Sequence, residues 1–167
     1  WAFKGNALYS QEKYNEAIRA YEEAIRLEPN RAEPWKLKGN ALYFQGKYDE
    51  AIMALDEAIR LDPNDAVTWF LKGSALFSQG KYDDAIRAYD EAIRIDPNLA
   101  EAWSLKGNAL YHQGKYDEAI QAYDEAIRIN PNLAEDWKGK ADALEASGKA
   151  TEASAAFARA RELGYEG

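Results

Sequence analysis

Between Tyr116 and Ile129, apolar side chains fall at Tyr116, Ala119, Ile120, Tyr123, Ala126 and Ile127. That i, i+3, i+4, i+7 spacing lays one stripe along one face of a helix. Pro131 forbids its continuation, having no N–H to give and a ring that clashes with the preceding turn. Upstream, Trp103, Gly107, Leu110 and Tyr111 also recur at helical spacing and predict a first helix that stops at the Gln113-Gly114 turn. This pair of patterns repeats along the chain, because Trp1, Trp35, Trp69, Trp103 and Trp137 are spaced by 34 residues and their surroundings recur with them. The pattern predicts one repeat domain over 1–167, with units 1–34, 35–68, 69–102, 103–136 and a closing unit 137–167. No stretch shows the alternation of a strand.

Local signals refine this picture. Gly46, Gly80 and Gly148 repeat the Gly114 turn. Asn30, Asn98 and Asn132 each stand three residues before Glu33, Glu101 and Glu135, an asparagine version of the capping box. Gly5, Gly39, Gly73 and Gly107 sit inside first helices, where glycine is unfavourable by roughly 1 kcal/mol relative to alanine. The small residues of the second helices, Ala17 with Ala24 through Ala119 with Ala126, predict that small faces small and the two helices approach closely.

Trp, Gly, Leu, Ala, Tyr, Ala and Pro at these offsets resemble the tetratricopeptide signature in every unit and over essentially the whole chain. The resemblance implies an all-α fold, a right-handed α-solenoid (superhelix) of antiparallel helix pairs whose first helices line a concave groove. One departure is systematic. Where the family usually has Leu three residues after Trp, Lys4, Lys38, Lys72, Lys106 and Lys140 stand here, read as packed stems with ammoniums in water. The closing unit loses the isoleucines of its second helix to Ser154 and Arg161 and reads as a cap. Trp1, Phe3 and Leu8 would instead expose apolar surface unless a preceding element or a second copy covers them. Opening on Trp rather than Met, the chain reads as a piece of something longer.

Charge and composition remove several classes of function. A formal charge of −8 gives little purchase on a phosphate backbone, so no nucleic acid is expected. No apolar run approaches the ~20 residues that span a bilayer, so no membrane is expected. With no cysteine there is no thiolate nucleophile or thiolate zinc site, and a reducing, cytoplasmic compartment is the expectation. His112 is the only histidine and has no acid or nucleophile arranged around it. Acid pairs such as Glu22-Glu23, Asp56-Glu57, Asp90-Glu91 and Asp124-Glu125 each have an Arg four residues after the first member, which reads as ion pairs on a solvated helix face. The chain is therefore not expected to be an enzyme, and no cofactor or metal is implied.

The resemblance places the residues one, five, eight and nine positions after each Trp on the groove. There stand Asn6, Tyr9, Lys36, Asn40, Tyr43, Phe44, Phe70, Ser74, Phe77, Asn108, Tyr111 and His112. An asparagine both donates and accepts, so a ladder of them matches the backbone of an extended peptide, while the aromatics supply area. The expected function is a protein–protein interaction scaffold holding a peptide or protein segment with an apolar or aromatic anchor. The Lys and Asn clamp that some relatives use for acidic tails is incomplete, since Lys36 and Asn40 are followed by Ser74, Glu101 and Leu105. The alternative is a structural module that self-associates through its N-terminal end as a homo-oligomer.

Overall fold

Each Gly turn ends a helix in the same way. In the computed structural model, which describes residues 1–166, Gly46, Gly80, Gly114 and Gly148 all take positive φ, between 73 and 82°. The N–H of the following lysine then returns to the carbonyl three residues inside the helix end, as in Lys47 to Leu42 and Lys115 to Leu110, both 3.0 Å. This is the Schellman closure, which glycine permits because it has no Cβ to clash in the left-handed region. The first copy has Glu12 there, at φ 58°. Glu12→Gly is expected to raise stability by about 1 kcal/mol, read as a higher urea midpoint at unchanged slope.

The contacts divide the chain into two units, Trp1–Lys81 and Tyr82–Gly167. The first holds α1 (Ala2–Tyr9), α2 (Tyr14–Leu27), α3 (Ala32–Phe44), α4 (Tyr48–Leu61) and α5 (Ala66–Ser78). The second holds α6 (Tyr82–Ile95), α7 (Ala100–His112), α8 (Tyr116–Ile129), α9 (Ala134–Ala146) and α10 (Ala150–Glu162). Within each unit, consecutive helices pack on one another and the first helices also meet directly, α3 with α5 and α7 with α9. The core of unit 1 is built from Ala17, Tyr21, Ala41, Leu42, Ala51 and Leu55, that of unit 2 from Leu110, Ala119, Tyr123, Ala126, Ala141 and Leu144.

Tryptophan fastens the joints between repeats. The indole N–H donates to the proline carbonyl six residues earlier, in Trp35–Pro29 (3.2 Å), Trp69–Pro63 (3.1 Å), Trp103–Pro97 (3.2 Å) and Trp137–Pro131 (3.0 Å). A second joint lies at the turns, where Gln45 donates to Asn15 (2.7 Å), Gln79 to Asp49 (2.8 Å) and Gln113 to Asp83 (2.8 Å), all on the preceding repeat.

Three local readings need correction. The N-caps lie one residue after the asparagines, at Arg31, Leu99 and Leu133, and make no side-chain capping bond. Asn98 and Asn132 instead belong to the turn, their own N–H held by Asp96 and Asn130. Asp65, by contrast, caps as such a residue should, accepting from the Val67 N–H at 3.0 Å. The nearest neighbours of Gly5 and Gly39 are large side chains rather than the small ones expected. A Cβ built on Gly5 would stand 2.4 Å from the Tyr21 ring, and one on Gly39 would stand 2.6 Å from Leu55. Small therefore faces large, and the missing methyl makes room for a side chain that fills the core.

The lysine row is not a set of free snorkels. Lys38, Lys72, Lys106 and Lys140 lie over Trp35, Trp69, Trp103 and Trp137 and reach back to Glu22, Asp56, Asp90 and Asp124 of the preceding repeat at 2.6–2.8 Å. The first acid of each pair is thus used between repeats. The arginine bonds the second, three residues away, as in Arg26–Glu23 and Arg128–Glu125. Those exposed pairs contribute little to stability.

Candidate functional site

In unit 1 the first-helix face is carried by α1, α3 and α5. Tyr21, one core layer behind it, donates its hydroxyl to Asn6 Oδ1 at 2.9 Å. Burial pushes the Tyr21 phenol up to about 12, with Tyr9 and Glu33 adding to it, so the hydroxyl keeps its proton and remains a donor. In the next repeat Leu55 replaces that tyrosine and has no hydroxyl to offer. Asn40 is held from the other side, its Nδ2 donating to Tyr9 Oη at 3.0 Å. Unit 2 repeats the first arrangement, with Tyr123 donating to Asn108 Oδ1 at 2.6 Å.

The aromatics pack in a regular way. The aromatic eight places after Trp leans on the tyrosine that opens the second helix of its own repeat, in Tyr9–Tyr14, Tyr43–Tyr48 and Tyr111–Tyr116, with centroids 5.4–5.7 Å apart. The residue nine places after Trp stacks on the corresponding tyrosine of the preceding repeat, Phe44 on Tyr14 (5.9 Å, 13°) and His112 on Tyr82 (5.1 Å, 6°). Phe44 is still half exposed. Phe70 and Phe77 are half-buried on α5. Ser74 is buried, and its hydroxyl donates to the Phe70 carbonyl within the helix.

Lys36 is tied down. Its ammonium meets Glu33 on its own helix at 2.6 Å and Asp65 at the start of α5 at 3.0 Å, and Thr68 donates to the same Asp65 carboxylate at 2.8 Å. Burial alone would lower the lysine and raise the aspartate. The hydrogen bonds and charges between them outweigh it, so the Lys36 pKa rises and the Asp65 pKa falls. In unit 2 the corresponding face holds Ser104, whose hydroxyl donates to Asp136 Oδ1. Asp136 is only 2% exposed and its Oδ2 has no hydrogen-bond partner. Burial pushes its pKa up, the Ser104 hydrogen bond opposes this, and the Glu101 and Glu135 carboxylates each add a smaller upward push. No group of three or more His, Asp or Glu among the described residues could hold a metal ion. None of the described helices is long and apolar enough to cross a membrane.

Family models match residues 4–66, 70–134 and 110–165 as tetratricopeptide repeats. The chain belongs to the tetratricopeptide repeat family. Solved tetratricopeptide-type structures resemble it closely. One crystal structure of MamA has 29% identity and a TM-score of 0.90 over 95% of this chain and 93% of that one. MamA from Desulfovibrio magneticus RS-1 has 24% identity and a TM-score of 0.89 over 95% and 90%. YrrB, described as a TPR protein with an unusual peptide-binding site, has 20% identity and a TM-score of 0.83 over 98% and 84%. No curated protein sequence matches. The fold is thus an α-solenoid of tetratricopeptide repeats.

Sequence reasoning named the asparagines and aromatics but missed what holds them. Tyr21 and Tyr123 carry the second-helix stripe, and nothing in that stripe shows a hydroxyl reaching an amide. Asp136 was also missed, although a carboxylate immediately before Trp137, where Pro34, Thr68 and Ala102 stand in other copies, is a visible irregularity.

Proposed function

We propose that this chain is a protein-interaction scaffold whose first-helix face receives an extended peptide or protein segment. The observation that carries the reading is the half-used state of its asparagines. Asn6 and Asn108 are held by their carbonyl oxygens, which aims their NH2 groups as donors. Asn40 is held by its nitrogen, which presents its carbonyl as an acceptor. Fixing an amide beforehand removes the entropy lost when a free side chain is ordered, and a peptide backbone offers one C=O and one N–H per residue to meet such groups. Phe44, Tyr43 and Tyr111 supply apolar area beside them, which favours a segment with an apolar or aromatic anchor. The peptide-binding description of YrrB is in keeping with this reading. Neither catalysis nor a nucleic-acid partner forms part of it.

Random-peptide selection tests it, run on the wild type and on Asn40→Ala and Asn108→Ala separately, each with its helicity checked. Enriched peptides should share an apolar anchor and lose roughly tenfold in affinity for each lost amide contact. If nothing enriches, or both variants select equally well, the face is not the site. A second reading then takes over, favoured by Phe3 at 90% exposure and by a cavity of about 410 Å³ lined by Trp1, Phe3, Leu27 and Leu37. In that reading the chain self-associates there, and its mass depends on concentration until Phe3→Gln abolishes it.

A further inference from the structure

Corresponding places in the two units differ in their balance of charge. In unit 1, the space between the starts of α3 and α5 holds two carboxylates, Glu33 and Asp65, and one ammonium, Lys36, which touches both. Two repeat lengths on, Glu101 stands for Glu33, Ser104 for Lys36, Leu133 for Asp65 and Asp136 for Thr68. Glu135 adds a third acid from the first turn of α9. The acids remain and the cation is gone. Lys138, the nearest basic residue along α9, is turned instead to Asp142 one helical turn further on.

The result is a charge that the fold itself leaves unbalanced. Asp136 is buried, accepts one hydrogen bond from Ser104 and keeps Oδ2 without a partner. A buried carboxylate oxygen with no donor is destabilising, and protonation would remove the charge without giving that oxygen an acceptor or donor to meet. Glu101 and Glu135, by contrast, are exposed and able to touch a ligand. Ser104 lacks the stem and ammonium that Lys36 brings to this place in unit 1.

We propose that unit 2 seats a basic side chain of its partner, an Arg guanidinium or Lys ammonium, where Lys36 places its own ammonium in unit 1, against Glu101 and Glu135 and above Asp136. This deepens the peptide-binding reading and rests on it for the source of the side chain. Arginine suits the seat better than lysine, because its planar fork can bond two carboxylates at once.

The test follows the Asp136 side-chain carboxyl by carbon NMR across pH in the labelled full chain. The probes are acetyl-Leu-Arg-Leu-amide and the same tripeptide with citrulline, which keeps the shape and loses the charge. With the arginine probe the Asp136 midpoint is expected to fall by about one pH unit, and less at high salt, while citrulline leaves it unchanged. Ser104→Lys should show the low midpoint without any peptide and ignore the probe. Glu101→Gln with Glu135→Gln, which leaves the core untouched, should weaken the response. Equal behaviour of the two probes on the wild type overturns the proposal. An arginine response with no motif from peptide selection keeps the cation seat and removes the general groove reading. A selected motif without Arg or Lys, together with a silent Asp136, does the reverse.

Discussion

Tyr123→Ala is expected to lower the stability of the chain by about 3–5 kcal/mol and to reverse the sign of a second substitution, Gly139→Ala. Tyr123 is 3% exposed, packs with Leu110, Ala119, Ala122 and Ala143, and anchors its hydroxyl on Asn108. Its ring fills the space that two glycines vacate. A Cβ built on Gly107 would lie 2.9 Å from the ring and one on Gly139 2.7 Å. In an open helix, alanine for glycine gains roughly 1 kcal/mol. Here the new methyl strikes a ring that is fixed at both ends, and overpacking of that kind costs roughly 1–3 kcal/mol, so Gly139→Ala is expected to destabilise the wild type. Once Tyr123→Ala has removed the ring, the same methyl enters empty space and should stabilise by about 1 kcal/mol. Urea unfolding of the four proteins in a double-mutant cycle measures the coupling. A Gly139→Ala protein more stable than wild type would show that the ring moves aside freely.

This contact also shows where the sequence was legible and where it was not. The repeat length, the helix pairs and the glycine turns depend on neighbours within one or two helical turns, and those are readable from spacing. The partners of Gly107 are not, because Tyr123 lies on another helix, and small residues on both helices invite the wrong pairing. The lysine row failed for the same reason. Lys38 looked like a solvated departure from the family pattern, yet its ammonium ends on Glu22 of the preceding repeat. Phe44 and His112 were correctly singled out as varying positions. Their stacking on Tyr14 and Tyr82 depends on how one repeat sits on the next, which no local pattern records. Among the groove candidates, Ser74, Lys36, Asn6, Asn40 and Asn108 all proved to be bonded within the fold.

Asp136→Thr should make the protein more stable at neutral pH by roughly 1–3 kcal/mol, copying the residue that unit 1 has at the same place. Thr68 donates its hydroxyl to Asp65, and a threonine at 136 could exchange a neutral hydrogen bond with Ser104, with no unpaired charge left behind. The gain should depend on pH, with a sign fixed by the direction of the shift. Asp136 holds its proton more tightly in the folded chain than in the unfolded one, because burial and the neighbouring Glu101 and Glu135 disfavour its charge. Between the ordinary aspartate range and the raised folded midpoint, the folded state binds more protons, so stability falls as pH rises through that window. Threonine does not titrate. The advantage of the variant should therefore be small below the ordinary aspartate range, grow through the window and level off above the folded midpoint. Chemical unfolding at several pH values measures it. A residue that destabilises its own fold at working pH is what a site looks like when its charge is kept for a partner. If the gain were flat across pH, the folded and unfolded midpoints of Asp136 would coincide, and burial would not be disfavouring its charge.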